Sequence, residues 1–562
     1  MTDTDPERWF LDTLPFTRGN SVLALVDGSE FMAHLYDRFA AMQGDDTLCY
    51  TAWRASPTQK LRPDISALDS SLLRVLLDLV QRRVVVRLLA WYPPGTSSFV
   101  VRRYGTHNSE NYAIVKQIRD AINARKVAGS AYLDQRLPAL VASHHQKSMV
   151  LTVKGDAWAY VGGLDVSIDR WDTPAHTSPS ERQVEKLDAW HDVHCAIQGP
   201  AVGAIADNFL ERWNERRPPL RANPGDMPAP IKAAWPVPAS GAGTLAVQRL
   251  RTLACNGTYD FRRGGEQSSR EGINKAIDRA QYFVYIEDQY FWPCSTVERL
   301  AAAVRRGVYL FLVLARTYDA DGLLRIAHCE MRKEALDAVR AAGAARVICC
   351  HLEQAARPTQ IYVHSKLVIV DDRYVTIGST NVGLRSQTTD SELNVAMVDS
   401  AVVDGVMGGS PVRVGRFARE LRLRLWSEHL GLPAAQFDDP IASRSRWPTQ
   451  RRGSRKVHHA CFHAGDVPAA DITLADWYQA MKALKELLGD ARPWPNATPE
   501  EKTLVDVAMA VLEVTGAGGL ITPNSDLALG PIWWTPRHGL RARLWEFLKT
   551  RIMNVETRCG RT

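Results

Sequence analysis

Two stretches of the chain repeat one order of patterns. Residues 144–167 read HHQKSMVLTVKGDAWAYVGGLDVS, and residues 363–386 read VHSKLVIVDDRYVTIGSTNVGLRS. Each holds a histidine and a lysine two positions apart, then an apolar strand, a turn, a second strand and a glycine turn. The surroundings repeat as well. SEFMAHLYDRFAAM precedes DTLCYTAWR and SSLLRVLLDLVQ precedes RVVVRLLAW in the first half; SREGINKAIDRA precedes QYFVYIEDQYF and TVERLAAAV precedes RRGVYLFLVLAR in the second. Each is a helical pattern leading into a dense apolar strand, as expected of helices that cover a mainly parallel sheet. A duplicated order of this kind restricts the fold to the α/β class, with two similar α/β/α lobes built on mixed, mainly parallel sheets. The lobes are expected over 15–220 and 246–431, joined by the Pro- and Gly-rich linker 221–245.

Local signals fill in the lobes and mark where the repeat stops. Ser268 and Glu271 have the spacing of a capping box, followed by Ile273, Ala276, Ile277 and Ala280 on one stripe. Beyond 432 a basic, turn-rich run, SRSRWPTQRRGSRK, precedes three helical patterns that have no counterpart in the repeat, so a helical C-terminal extension is expected over 432–562.

Composition narrows the function classes. The chain has 562 residues, 45% of them apolar, and a formal net charge of +7. That charge suits anionic substrates but is too modest for the long basic groove of a nucleic-acid enzyme. Nine cysteines with no CxxC spacing read as reduced, buried thiols rather than a disulfide or zinc framework. The N-terminal stretch lacks an apolar h-region, and no apolar run reaches the roughly 18 residues of a membrane span. The expectation is a cytoplasmic protein, unless it is exported by a signal-independent route.

The ionisable residues in the repeats carry the chemistry. Residues two apart on a strand share a face roughly 6–7 Å apart, so His145 with Lys147 and His364 with Lys366 each form a pair. If the repeats fold face to face, two imidazoles and two ammonium groups surround one cavity. Two lysines would offset the charge of a phosphodiester and of its transition state. One neutral histidine can attack phosphorus while the other, protonated, supplies the leaving oxygen with a proton. Carboxylates would set the two apart, and Asp192 in WHDVHC and Glu392 in TTDSELNV are the candidates. Gly162-Gly163 and Gly378-Ser379 allow close backbone approach, with Asp165 and Asn381 just after them. The scheme calls for no cofactor and no metal. His144-His145 and His458-His459 lack the further ligands a metal site needs.

These residues resemble a family. HSKLVIVD, with His364, Lys366 and Asp371, followed by GSTN at 378–381, is similar to the signature of the phospholipase D superfamily. HHQK, AYVGGLDVS, DRWDTPAH, WHDVHCAIQGPAV and FLERWN in the first half, and YIEDQYF in the second, resemble the companion motifs of its two-motif members. The resemblance implies two lobes around a pseudo-twofold axis, and metal-independent transfer of a phosphatidyl group through a phosphohistidine. By matched position His145 would be the nucleophile, His364 the general acid, and Lys147 and Lys366 the phosphate ligands, helped by Asn381, with Asp371 counted in the catalytic set. Asp165, Asp192, Glu392, Gly163 and Ser379 would support them. The partner implied is a phospholipid at a membrane surface. A monomer suffices because both half-sites lie in one chain.

The first half departs from the signature. Position 152, seven after His145, is Thr152 where the second half has Asp371, and Asp156 in the intervening turn is the nearest carboxylate that could replace it. The leading expectation is hydrolysis of glycerophospholipid to phosphatidic acid. A phosphatidyltransferase of the cardiolipin- or phosphatidylserine-synthase type, a nuclease, and a catalytically silent lipid-binding protein are the alternatives.

Overall fold

A computed structural model describes residues 5–461, apart from 93–97, 138–141, 177–188, 217–229, 233–234, 237–241, 255–258, 317–322, 355–359 and 448–457. The three helical patterns expected beyond 462 lie outside the described residues. What is described after 432 is two short 3-10 turns, Ala434–Phe437 and Ala442–Arg446, and a strand, His458–Cys461, that pairs antiparallel with Val347–Glu353.

The duplication holds strand by strand. The first sheet runs, in spatial order, Thr17–Val26, Val193–Gln198, Asp156–Gly162, Ser148–Val153, Thr47–Ala52, Val85–Trp91 and Gly129–Asp134. The second runs Leu245–Leu253, Glu392–Asp399, Tyr374–Gly378, Leu367–Val370, Phe283–Asp288, Tyr309–Leu314 and Val347–Glu353. In each sheet the first four neighbouring pairs are antiparallel and the last two parallel, so five of the seven strands point one way. The helical patterns pack on these sheets as their apolar stripes require. Leu72, Val75, Leu76, Leu79 and Val80 of the helix Leu72–Gln81 are buried, as are Ile273, Ala276 and Ile277 of Ser268–Arg279. Ser268 is not a cap: its hydroxyl accepts from the amide of Arg251 at 2.9 Å, tying the helix to the neighbouring strand.

Three pairings cross between the lobes. The equivalent edge strands meet antiparallel at Thr17↔Val247 and Asn20↔Leu245. Ala189–His191 lies parallel to Ile361–Val363, and His144 forms a parallel bridge with Ser391. The last two are counterparts under the repeat. Each brings the residue before a candidate carboxylate (His191 before Asp192, Ser391 before Glu392) beside the residue before a motif histidine of the other lobe.

Candidate active site

Neither histidine–lysine pair lies within a sheet strand. Ser148–Val153 begins one residue after Lys147, and Leu367–Val370 one residue after Lys366. The ionisable residues therefore occupy the crossing from one lobe to the other, while Leu367, Ile369, Met149 and Leu151 behind them are core. The crossing is pinned by backbone: the His145 amide donates to the Ser391 carbonyl at 2.9 Å and the His364 amide to the His191 carbonyl at 2.8 Å.

This geometry brings both imidazoles to one cavity, whose walls include His145, His364, Asn381, Arg170, Trp53 and Trp190. Each histidine is oriented by the opposite lobe. His364 Nδ1 is 2.7 Å from Asp192 Oδ2. His145 Nδ1 is 3.0 Å from Glu392 Oε2 and 3.1 Å from the Ser379 carbonyl oxygen. A carbonyl only accepts, so Nδ1 of His145 carries the proton, and the neutral ring has its lone pair on Nε2. Ser379 also donates its hydroxyl to Glu392 Oε2 at 2.5 Å. Gly163 stands at the equivalent place in the first lobe, where a Cβ would lie 2.0 Å from Asp192 Oδ1. The two carboxylates are thus held differently, one by a hydroxyl and one by a glycine gap.

The lysines lie behind the histidines rather than on the cavity wall. Lys147 Nζ donates to the His145 carbonyl at 3.0 Å, is 3.4 Å from Asp165 Oδ2, and stands 5.4 Å from the centre of the Trp53 ring. Lys366 Nζ donates to the His364 carbonyl. Burial pushes the Lys366 ammonium down to about 7, and Asp192 opposes the shift. Burial holds both His145 and His364 well below the ordinary imidazole value, helped by Lys147 and Lys366 at His145 and by Lys366 and Arg170 at His364. Burial pushes Asp192 up to about 6 and Glu392 up to about 7. Lys147, Lys366 and Arg170, buried around two imidazoles, suit the site to an anion.

Asp371 is not in this cavity. It sits beyond the far end of Leu367–Val370, where Oδ1 accepts from the amides of Tyr282 and Phe283 at 2.9 and 2.8 Å and Oδ2 from Gln281 at 2.7 Å. Its expected place among the reacting groups is therefore corrected: it clamps the start of the neighbouring strand. The departure at Thr152 is explained by the same geometry. Thr152 Oγ1 accepts from the amide of Thr47, the first residue of the matching strand, at 2.9 Å. Asp46 Oδ2 takes the amides of Gln43 and Lys154 at 2.8 and 3.1 Å. The Thr152 hydroxyl thus holds the start of the matching strand as the Asp371 carboxylate does in the second lobe, while Asp46 ties the preceding turn to Lys154; Asp156 is exposed and takes no part.

Of the supporting residues, Asp165 pairs with Lys147 and accepts the Trp53 amide at 3.0 Å, while Asn381 reaches the cavity and donates to Ser386 Oγ at 3.3 Å. Several cavity residues, Trp53, Trp190 and Arg170 among them, carry no individual signal in the sequence. Arg170, in DRWD, is buried with its guanidinium 3.7 Å from the Trp190 ring centre and beside Asp169 at 2.6 Å. It lies in the DRWDTPAH stretch that resembles a companion motif, but that resemblance gives Arg170 no individual role.

Comparison with known families agrees with this geometry. A family model described as "Phospholipase D" matches residues 47–300, and one described as "Cardiolipin synthase, PLD-like domain" matches 273–407. Phospholipase D1 of Schizosaccharomyces pombe is 29% identical over 387 residues, covering 53% of this chain and 28% of that protein. Phospholipase D zeta 1 of Arabidopsis thaliana is 48% identical over 139 residues, covering 23% of this chain and 13% of the relative. The match spans under a third of the length of either. Among solved structures, phosphatidylserine synthase of Haemophilus influenzae Rd KW20 superposes with a TM-score of 0.49 at 13% identity, covering 85% of this chain and 96% of that one. With two matched domains meeting at one histidine-lined cavity, the chain belongs to the phospholipase D superfamily.

Proposed function

We propose that this chain is a phospholipase D-type phosphodiesterase that cleaves the headgroup ester of glycerophospholipids through a phosphohistidine. The observation that carries the reading is the pair of imidazoles on one cavity, with His145 locked by the Ser379 carbonyl into the tautomer that exposes Nε2. In the first step Nε2 of His145 bonds to phosphorus, the bond from phosphorus to the headgroup oxygen breaks, and His364 gives that oxygen its proton. In the second, His364 takes a proton from water, the water oxygen bonds to phosphorus, and the bond to His145 breaks, releasing phosphatidic acid.

His364 must be protonated to start, although the empty site holds it neutral. The incoming phosphodiester anion offsets Lys147, Lys366 and Arg170, so substrate binding itself draws the proton onto His364. No proton relay beyond the two imidazoles is needed. This reading includes a monomer resident in the cytoplasm and working at a membrane surface, since one chain supplies both half-sites. An alcohol acceptor instead of water is the second reading, favoured by the second-lobe match to the cardiolipin synthase-type model.

Incubation with phosphatidylcholine vesicles, with and without glycerol, tests both readings when the products are identified by mass. Phosphatidic acid alone supports the hydrolase, and phosphatidylglycerol in excess supports the transferase. Intact lipid under all conditions, with cleavage of an oligonucleotide, overturns both.

A further inference from the structure

Beside Asp192, which links the strands Ala189–His191 and Val193–Gln198, lies a second group of buried ionisable residues that the phosphoryl chemistry does not use. Asp27, His176, His191 and Glu428 place ligand-type atoms within 4.8 Å of one another. Three come from the first lobe. Glu428 comes from the helix Arg416–Leu430 of the second.

The contacts of His176 leave room at the centre of the group, while His191 Nδ1 is within hydrogen-bond distance of Asp27 Oδ1. His176 Nε2 is 3.8 Å from Asp27 Oδ2 and 3.7 Å from Glu428 Oε1, too long for hydrogen bonds. Glu428 Oε1 is 3.2 Å from His191 Nδ1. Four donors around a tetrahedral ion with bonds of roughly 2.0–2.1 Å are separated by roughly 3.3 Å. Asp27 Oδ2 is fully buried and accepts no hydrogen bond, while the other oxygen, Oδ1, lies 2.9 Å from His191 Nδ1. Asp27 is held there with a φ of +64°, a strained backbone for a non-glycine residue.

The outer contacts fit the same arrangement. His176 turns its other nitrogen, Nδ1, to Asp172 Oδ2 at 3.0 Å, and His191 turns Nε2 to Glu287 Oε2 at 3.0 Å. Glu287 is fixed in turn by the Tyr285 hydroxyl at 2.5 Å and by His429 Nε2 at 2.8 Å. A histidine with one nitrogen facing a shared centre and the other donating to a carboxylate is the pairing that orients metal ligands.

We propose that Asp27, His176, His191 and Glu428 form a structural site for a divalent transition ion, with zinc the best match to two imidazoles and two carboxylates in four-coordination. A dication with two carboxylates and two neutral imidazoles is neutral overall, so binding replaces the protons these imidazole nitrogens would otherwise carry. The ion joins the first lobe to the last helix of the second. It also fixes His191, whose carbonyl accepts the His364 amide at 2.8 Å, and hence the neighbouring Asp192. This goes beyond the proposed activity and stands whether or not lipid is turned over.

The test is elemental analysis of the full chain after equilibration with zinc and desalting, paired with a cobalt titration read in the visible. The expected result is about one equivalent of metal per chain, tetrahedral cobalt bands, and a melting temperature raised by several degrees. Asp27→Asn with His176→Gln is expected to lose all three. If that double variant does not fold, the wild-type titration alone decides. Wild-type protein that retains no metal, shows no cobalt bands and melts unchanged overturns the proposal.

Discussion

His145 and Glu392 belong to opposite lobes, yet Nδ1 of the imidazole lies 3.0 Å from Oε2 of the carboxylate. The reciprocal pair, His364 and Asp192, meets at 2.7 Å. Each lobe thus supplies a reacting histidine and the carboxylate that aims its partner's. Glu392→Gln and Asp192→Asn are expected to lower kcat by roughly 10²-fold or more, with little change in KM. Steady-state kinetics checks this; a pure KM effect would place the carboxylates in binding instead.

The division of labour between the histidines predicts a dependence on the leaving group. His364→Ala should lose nearly all activity on phosphatidylcholine but recover a large part of it on a p-nitrophenyl phosphodiester, whose leaving group needs no proton. His145→Ala should be inactive on both. Equal loss by the His364 variant on both substrates would contradict its role as acid.

Anion binding should take up protons. His364 and Lys366 are held below their ordinary values by burial and positive neighbours, Lys366 at about 7. An anion favours their charged forms, so inorganic phosphate or vanadate should bind with net proton uptake at neutral pH. Its affinity should weaken as pH rises through 7, by up to about tenfold per pH unit for each proton coupled. Calorimetry in buffers of different ionisation enthalpy measures the uptake. Binding with proton release would contradict the electrostatic account.

Arg170 should contribute to anion recognition. Replacing its guanidinium by Arg170→Gln is expected to lower kcat/KM by roughly 10- to 100-fold, the range of one charged hydrogen bond. Loss of stability with unchanged kcat/KM in the folded fraction would make it a packing residue on Trp190.

Asp371 and Thr152 should separate stability from chemistry. Asp371→Ala leaves the amides of Gln281, Tyr282 and Phe283 without this acceptor and is expected to destabilise the fold by roughly 3 kcal/mol; Thr152→Val removes one acceptor and should cost about 1 kcal/mol. Chemical denaturation measures both. Turnover per folded molecule should remain near that of the parent in each.

Much of this was legible in the chain. The repeat foretold four of the seven strands in each lobe, matched in order, and the histidines, lysines and carboxylates of the site stand at motif positions. What was hidden depends on contacts between distant segments. The spacing of His364 and Lys366 reads as strand, but pairing of Ile361–Val363 with the other lobe ends the ladder before them. The aspartate of the signature reads as chemistry because its partners, the amides of 281–283, have no sequence signal. Thr152 reads as a defect until the amide of Thr47 is seen to meet it.

The most direct measurement is to trap the covalent intermediate. Alkaline denaturing quench during reaction of a phosphorus-labelled p-nitrophenyl phosphodiester with the His364→Asn variant, followed by peptide mapping at alkaline pH, should place an acid-labile phosphoryl adduct on the peptide containing His145 and none on the peptide containing position 364. Label on the peptide containing position 364 in the wild-type enzyme, or label that persists in His145→Asn, would contradict the account.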